Sequence, residues 1–109
     1  PGPPEPYDWL SRAILPFPKR VIDAGREAGV PVRLCGEMGG RPLEAMALIG
    51  IGAENFSITP AAVGPVKAMI RTLDAERCRA KLDQLLDQGR RALRKAPGDW
   101  ARRQRVMVG

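Results

Sequence analysis

Leu34-Cys35-Gly36-Glu37-Met38-Gly39-Gly40-Arg41-Pro42 is the stretch on which the fold turns. Just upstream, Val30-Pro31-Val32-Arg33-Leu34-Cys35 is short, alternating and rich in β-branched residues, which predicts a strand over 30–35. Pro31 has to stand at its beginning, where no ladder donor is lost. Downstream, Pro42 opens a helix through Leu43, Met46, Ala47 and Ile49, and Gly50 and Gly52 end it. Between strand and helix lies the loop Gly36–Gly40. A strand that ends in a cysteine fixes the thiol, and glycines let backbone N–H groups face an anion. The following helix adds its positive end at the same rim. In parallel α/β architectures that rim is where active sites are built. The residues alone also allow plainer roles: Cys35 as a small buried hydrophobe, Gly39-Gly40 as a turn, and Glu37 as a solvated or salt-bridged carboxylate.

Reading outward, the opening Pro1-Gly2-Pro3-Pro4-Glu5-Pro6 is an extended lead-in. A helix is predicted from Pro18 to about Ala28, with Gly29 as its stop. Asn55-Phe56-Ser57-Ile58-Thr59 is a second strand, and Thr59-Pro60 supplies an N-cap and a helix-initiating proline. Gly64-Pro65 predicts a short turn over 60–63 and a separate helix over 65–73. Asp74 caps a last long helix whose Cys78, Leu82, Leu85, Leu86, Ala92 and Leu93 form one apolar stripe. Gly89 bends or ends it, and Pro97-Gly98 stops it. Met46, Met69, Phe56 and Ile58 are read as packing residues, as is Met38. Strands separated by a crossover helix pair in parallel, so the class is α/β. Two strands cannot close a barrel, which takes roughly 250 residues in the eight-stranded case. The chain is therefore expected to be cut from something larger.

Composition narrows the chemistry. The chain has 109 residues, 44% hydrophobic and 28% charged, as a globular protein has. No apolar run is long enough to span a bilayer and no signal peptide opens the chain, so no membrane role is expected. Cys35 and Cys78 have no metal-site spacing and read as thiols of a reducing, cytoplasmic setting. Histidine is absent, which excludes Ser-His-Asp and Cys-His catalysis and any phosphohistidine carried by this chain. The net charge of +6 lies wholly in residues 76–109, with ten Lys/Arg against four Asp/Glu; residues 1–75 carry eight of each. The expected division is residues 1–74, neutral and apolar, and 75–109, a basic helical tail.

Leu34-Cys35-Gly36-Glu37-Met38-Gly39-Gly40 closely resembles the cysteine loop of phosphoenolpyruvate-utilising enzymes, and Phe56 to Lys67 resembles the segment at their last barrel strand. Within that superfamily the chain is most similar to enzyme I of the phosphotransferase system, the phosphoenolpyruvate-protein phosphotransferases, including their nitrogen-related branch. Tyr7-Asp8, Leu10-Ser11 and Val21-Ile22-Asp23-Ala24 fit the preceding helix, so the resemblance runs from Tyr7 to Asp74. It departs at Gly39-Gly40-Arg41, where the family commonly has Ala-Gly-Asp, and at Ser11-Arg12, where a Ser-Pro step is usual.

The resemblance implies a fold and a function. Residues 1–74 would be the last two βα units of a (β/α)8 TIM barrel that binds phosphoenolpyruvate and Mg²⁺, followed by C-terminal helices. The phosphoryl group would pass to a histidine on another domain and then to an HPr-like phosphocarrier protein. Cys35 would protonate C3 of the enolate, since a thiol donates a proton without competing for hard Mg²⁺. Gly36, Glu37, Gly39 and Gly40 would contact substrate. The metal ligands, substrate arginines and phospho-accepting histidine would lie outside this chain, leaving it inactive alone. A homodimer through the barrel domain is also implied.

Two rivals are weighed beside this reading. A pyruvate phosphate dikinase-type enzyme also carries a Cys-Gly-Glu-x-Gly-Gly loop, but the long match from Phe56 to Lys67 favours the first. A non-catalytic dimerisation or interaction module is the other. The basic tail has Trp100 as its sole aromatic and interleaved acids, so no nucleic-acid role is expected. Cys78 is read as packing, with a pKa lowered by Arg77, Arg79 and Lys81 as the lesser option.

Overall fold

The computed structural model describes residues 16–35, 41–88 and 92–108. Within them the order is α1 (Pro16–Ala28), β1 (Leu34–Cys35), α2 (Pro42–Gly50), β2 (Phe56–Ser57), α3 (Pro60–Thr72), α4 (Ala75–Gln88) and α5 (Ala92–Arg103). The chain is α/β but mostly helical, and β1 and β2 form one parallel pair with Leu34 opposite Phe56 and Cys35 opposite Ser57. The strands are shorter than the sequence predicts. Val30 is already spent on α1, its N–H donating to the Gly25 carbonyl at 2.8 Å, and Pro31 has no N–H to give. Thr59, the expected end of the second strand, is instead the extended N-cap of α3.

Three helices end in the same way. At Gly29 (φ 70°) and Gly52 (φ 106°) the chain turns left-handed, and the next residue's N–H reaches back into the helix: Val30 to Gly25, Ala53 to Leu48. Arg105 (φ 60°) does the same after α5, with Arg105 N–H on the Arg102 carbonyl and Val106 N–H on Ala101. A side chain is disfavoured there. Gly29→Ala should cost about 1 kcal/mol, and Arg105→Gly should stabilise by a few tenths to about 1 kcal/mol. Opposite shifts in thermal midpoint would show both; a loss from Arg105→Gly would contradict the cap reading.

The prolines behave differently from the sequence reading. Gly64-Pro65 does not divide α3, which runs unbroken from Pro60 to Thr72 with Pro65 inside it. A proline clashes with the Cβ of the residue before it, and Gly64 has none. Pro97-Gly98 likewise does not stop the last helix but lies within α5, with Pro97 fully buried. Burial of Pro97, Trp100 and Ala101 offsets the lost backbone bond. α4 ends at Gln88, next to the Gly89 expected to bend or end it, α5 follows from Ala92, and α1 begins at Pro16 rather than Pro18.

The core centres on α2. Residues 44–48 and Gly50 are buried, so this helix is covered on nearly all sides. α4 packs along it, with Cys78 and Leu82 wholly buried and Leu85 nearly so. Gly50 permits that approach: a Cβ there would stand 2.7 Å from Leu82 Cγ and 3.0 Å from Cys78 Sγ. Met46 and Met69 are buried as packing residues, and Phe56 and Ile58 lean on the same cluster. The basic tail belongs to that core too, through Trp100, Ala101 and Val106. Asp74 caps α4 as its sequence position suggests, its Oδ1 accepting from Arg77 N–H at 3.1 Å. No helix among the described residues is long and apolar enough to cross a membrane.

Candidate functional site

Parallel pairing puts the carboxyl ends of β1 and β2 on one edge. Leu34 N–H donates to the Asn55 carbonyl at 3.0 Å, and one step on Cys35 stands beside Ser57. Cys35, the sequence-predicted acid, is therefore the last strand residue on that edge. Gly36, Glu37, Gly39 and Gly40, the other predicted site residues, lie outside the described residues, as does Met38.

Both helices that follow the strands start at this edge. α3 begins three residues after Ser57, with Thr59 as N-cap and Pro60 at its first position. The Thr59 hydroxyl makes no capping bond; the cap is the backbone bond from Ala62 N–H to the Thr59 carbonyl at 3.0 Å. This corrects the expected side-chain cap and leaves Thr59, like Ser57, exposed along the edge. α2 must run from this edge back toward the start of β2. Its N-cap is Arg41, in extended backbone, whose carbonyl accepts from Ala45 N–H at 2.8 Å. Two helix amino ends thus bring partial positive charge to the edge that carries Cys35.

One residue that sequence reasoning passed over is Glu44, in the first turn of α2. It is 3% exposed and is the one buried charged side chain among the described residues. Arg41 Nη1 lies 3.6 Å from Glu44 Oε1, the arginine side chain remaining 52% exposed. The signal was present as an i, i+3 Arg–Glu spacing across a helix start. The basic residue at 41 thus pairs with an acid of its own helix.

The opposite edge is closed by structural contacts. Arg26 Nη2 donates to the Gly52 carbonyl at 3.2 Å and lies 3.8 Å from Glu54 Oε1. They border a small cavity of about 160 Å³ with Ile22, Val32 and Asn55. Cys78 is no second reactive thiol: its Sγ donates to the Met46 carbonyl at 3.4 Å, and burial pushes its pKa up to about 12. The neighbouring cations do not lower it, contrary to the lesser option drawn from sequence. Since the folded value lies above the ordinary 9.0, this thiol favours folding below pH 9 and that contribution is lost as pH rises toward 12. Between those limits the loss should be about 1.4 kcal/mol per pH unit. Urea unfolding at pH 8 and pH 10.5 should show a drop that Cys78→Ala lacks; equal drops would contradict it.

Among the described residues no three His, Cys, Asp or Glu side chains are placed to hold a metal ion. These residues do not by themselves fit Mg²⁺.

Comparison with known proteins agrees with the geometry. Residues 2–75 match the family described as PEP-utilising enzyme, PEP-binding domain. The chain belongs to this family. It is 40% identical over 80 residues to a phosphoenolpyruvate-protein phosphotransferase of Cupriavidus necator, covering 73% of this chain and 14% of that protein. It is 35% identical over 65 residues to the protein of the same name from Borreliella burgdorferi, covering 60% and 11%. A multiphosphoryl transfer protein of Escherichia coli is 30% identical over 73 residues, covering 67% and 9%. The chain thus spans about a seventh or less of the length of these relatives. No solved structure matches it significantly. The match to the PEP-binding domain ends where α4 begins, so Cys35, Arg41, Glu44 and Ser57 all lie within it.

Proposed function

We propose that this chain is the carboxyl-terminal PEP-binding segment of a phosphoenolpyruvate-protein phosphotransferase, and that β1-α2 and β2-α3 are the last two βα units of its (β/α)8 barrel. The observation that carries the reading is the family match over residues 2–75, which contains the parallel pair and its Cys35-bearing carboxyl edge. Among the described residues each strand of this short pair has one open side, which suits the pair to be part of a larger sheet.

In this reading phosphoenolpyruvate lies at the carboxyl edge. Its phosphoryl group passes to a histidine outside this chain, which has none, and from there to an HPr-like phosphocarrier. Cleavage of the P–O bond leaves the enolate of pyruvate. The Cys35 thiol gives its proton to C3, the enolate electrons form the new C–H bond, and the thiolate regains a proton from solvent. Gly36, Glu37, Gly39 and Gly40 hold the substrate beside the thiol. Mg²⁺ would neutralise phosphate charge on ligands outside the described residues. The whole protein works as a cytoplasmic homodimer.

The test is phosphoryl transfer by the full-length protein. Labelled phosphate should pass from phosphoenolpyruvate to an HPr-like carrier, with pyruvate formed; a folded protein that labels no carrier would end the proposal. The 109-residue chain alone should form no pyruvate, because phosphoryl transfer rests on charged groups it lacks. A coupled lactate dehydrogenase assay checks this, and turnover by the chain would contradict it.

A further inference from the structure

We propose that Glu44 is a positioning residue that fixes Arg41 at the carboxyl edge, where the arginine's outward donors bind an oxyanion of phosphoenolpyruvate. The inference rests on the PEP-binding reading above and adds residues to it. Three observations carry it. Glu44 is buried in the first turn of α2, so its carboxylate cannot swing away to follow solvent. Its oxygen lies 3.6 Å from Arg41 Nη1, which ties one side of the guanidinium to a fixed point. The rest of that side chain is half-exposed, and Arg41 begins the helix that starts on the Cys35 edge. A guanidinium has five donors in a planar fork, so an ion pair on one side leaves donors on the others to meet a carboxylate or phosphate.

The carboxyl edge otherwise shows small neutral groups, Ser57 and Thr59, on the described β2–α3 side. Lys67 and Arg71 lie further along α3, away from its start. Among the described residues Arg41 is therefore the cation best placed for a substrate that carries both a phosphate and a carboxylate. Holding it in advance removes part of the side-chain ordering that binding would otherwise cost.

The test is affinity for phosphoenolpyruvate, read by NMR on the 109-residue chain, with the Arg41 side-chain Nε–H resonance followed directly. Wild type should shift that resonance on titration. Arg41→Gln should weaken binding roughly tenfold, the size of one charge-assisted hydrogen bond. Arg41→Lys should recover only part, since it lacks the fork. Glu44→Gln should keep the fold by circular dichroism, yet weaken binding roughly threefold through loss of positioning. If Arg41→Gln binds like wild type while backbone amides at the edge still shift, the inference fails and the PEP-binding reading stands. If Arg41→Gln weakens binding but Glu44→Gln does not, the positioning role of Glu44 fails. If wild type shows no shift with phosphoenolpyruvate at any site, the inference fails, and the PEP-binding reading is decided by phosphoryl transfer in the full-length protein.

Discussion

Shortening the chain to residues 1–74 should abolish cooperative folding, although those residues hold nearly the whole family match. The cut removes α4 and α5 and strips Cys78, Leu82 and Leu85 from α2. Met46 and Leu48, now wholly buried, belong to the cluster those side chains complete. A smaller change makes the same point. Leu82 is fully buried against Gly50, where backbone approaches too closely for repacking, so Leu82→Ala should cost about 3 kcal/mol. For a domain of this size that corresponds to a fall in thermal midpoint of more than about 10 °C. Truncated protein with a dispersed amide spectrum and an unchanged midpoint would show the tail to be an appendage. On the present reading the division at residue 75 is one of charge and not of folding.

The second large effect concerns chemistry. In the full-length protein Cys35→Ala should lower pyruvate formation roughly 10²- to 10⁴-fold, the usual range for one positioned acid. Phosphorylation of the enzyme histidine should suffer less, because P–O cleavage precedes the proton transfer. Rapid-quench measurement separates the two steps: labelled enzyme should accumulate while pyruvate lags. Cys78→Ala is the control, since that thiol is buried on α4 and donates to the Met46 carbonyl. A Cys35→Ala enzyme that forms pyruvate at the wild-type rate would remove the thiol from the mechanism.

Much of this arrangement was legible in the sequence because its signals are local. Gly29 and Gly52 mark helix ends through positive φ, and Asp74 caps through a side chain three residues from its donor. The alternation around Leu34 and Phe56, with a helix between, was enough for parallel pairing. The rule that failed was also local. Proline ends an isolated helix, yet Pro65 follows a glycine that relieves the clash and Pro97 is buried in the core. Strand lengths were overestimated because Val30 serves a helix cap and Thr59 a helix start, and one backbone group cannot do both. At the site, the order of strand, cysteine and helix start could be read from residue types. Glu44 was legible only in part: the i, i+3 spacing from Arg41 marks a pairing, but nothing in Pro42-Leu43-Glu44 says that the carboxylate is buried, since that depends on how α4 and α5 cover α2.

The most direct measurement is a two-dimensional amide titration of the 109-residue chain with phosphoenolpyruvate and Mg²⁺. The shifts should be confined to Gly36, Gly39, Gly40 and Arg41, with Ser57 and the first turn of α3. Shifts at Arg26, Gly52 and Glu54 instead would contradict a phosphoenolpyruvate site on the carboxyl edge, whereas a well-dispersed spectrum without shifts would mean that the site needs the arginines and carboxylates outside this chain.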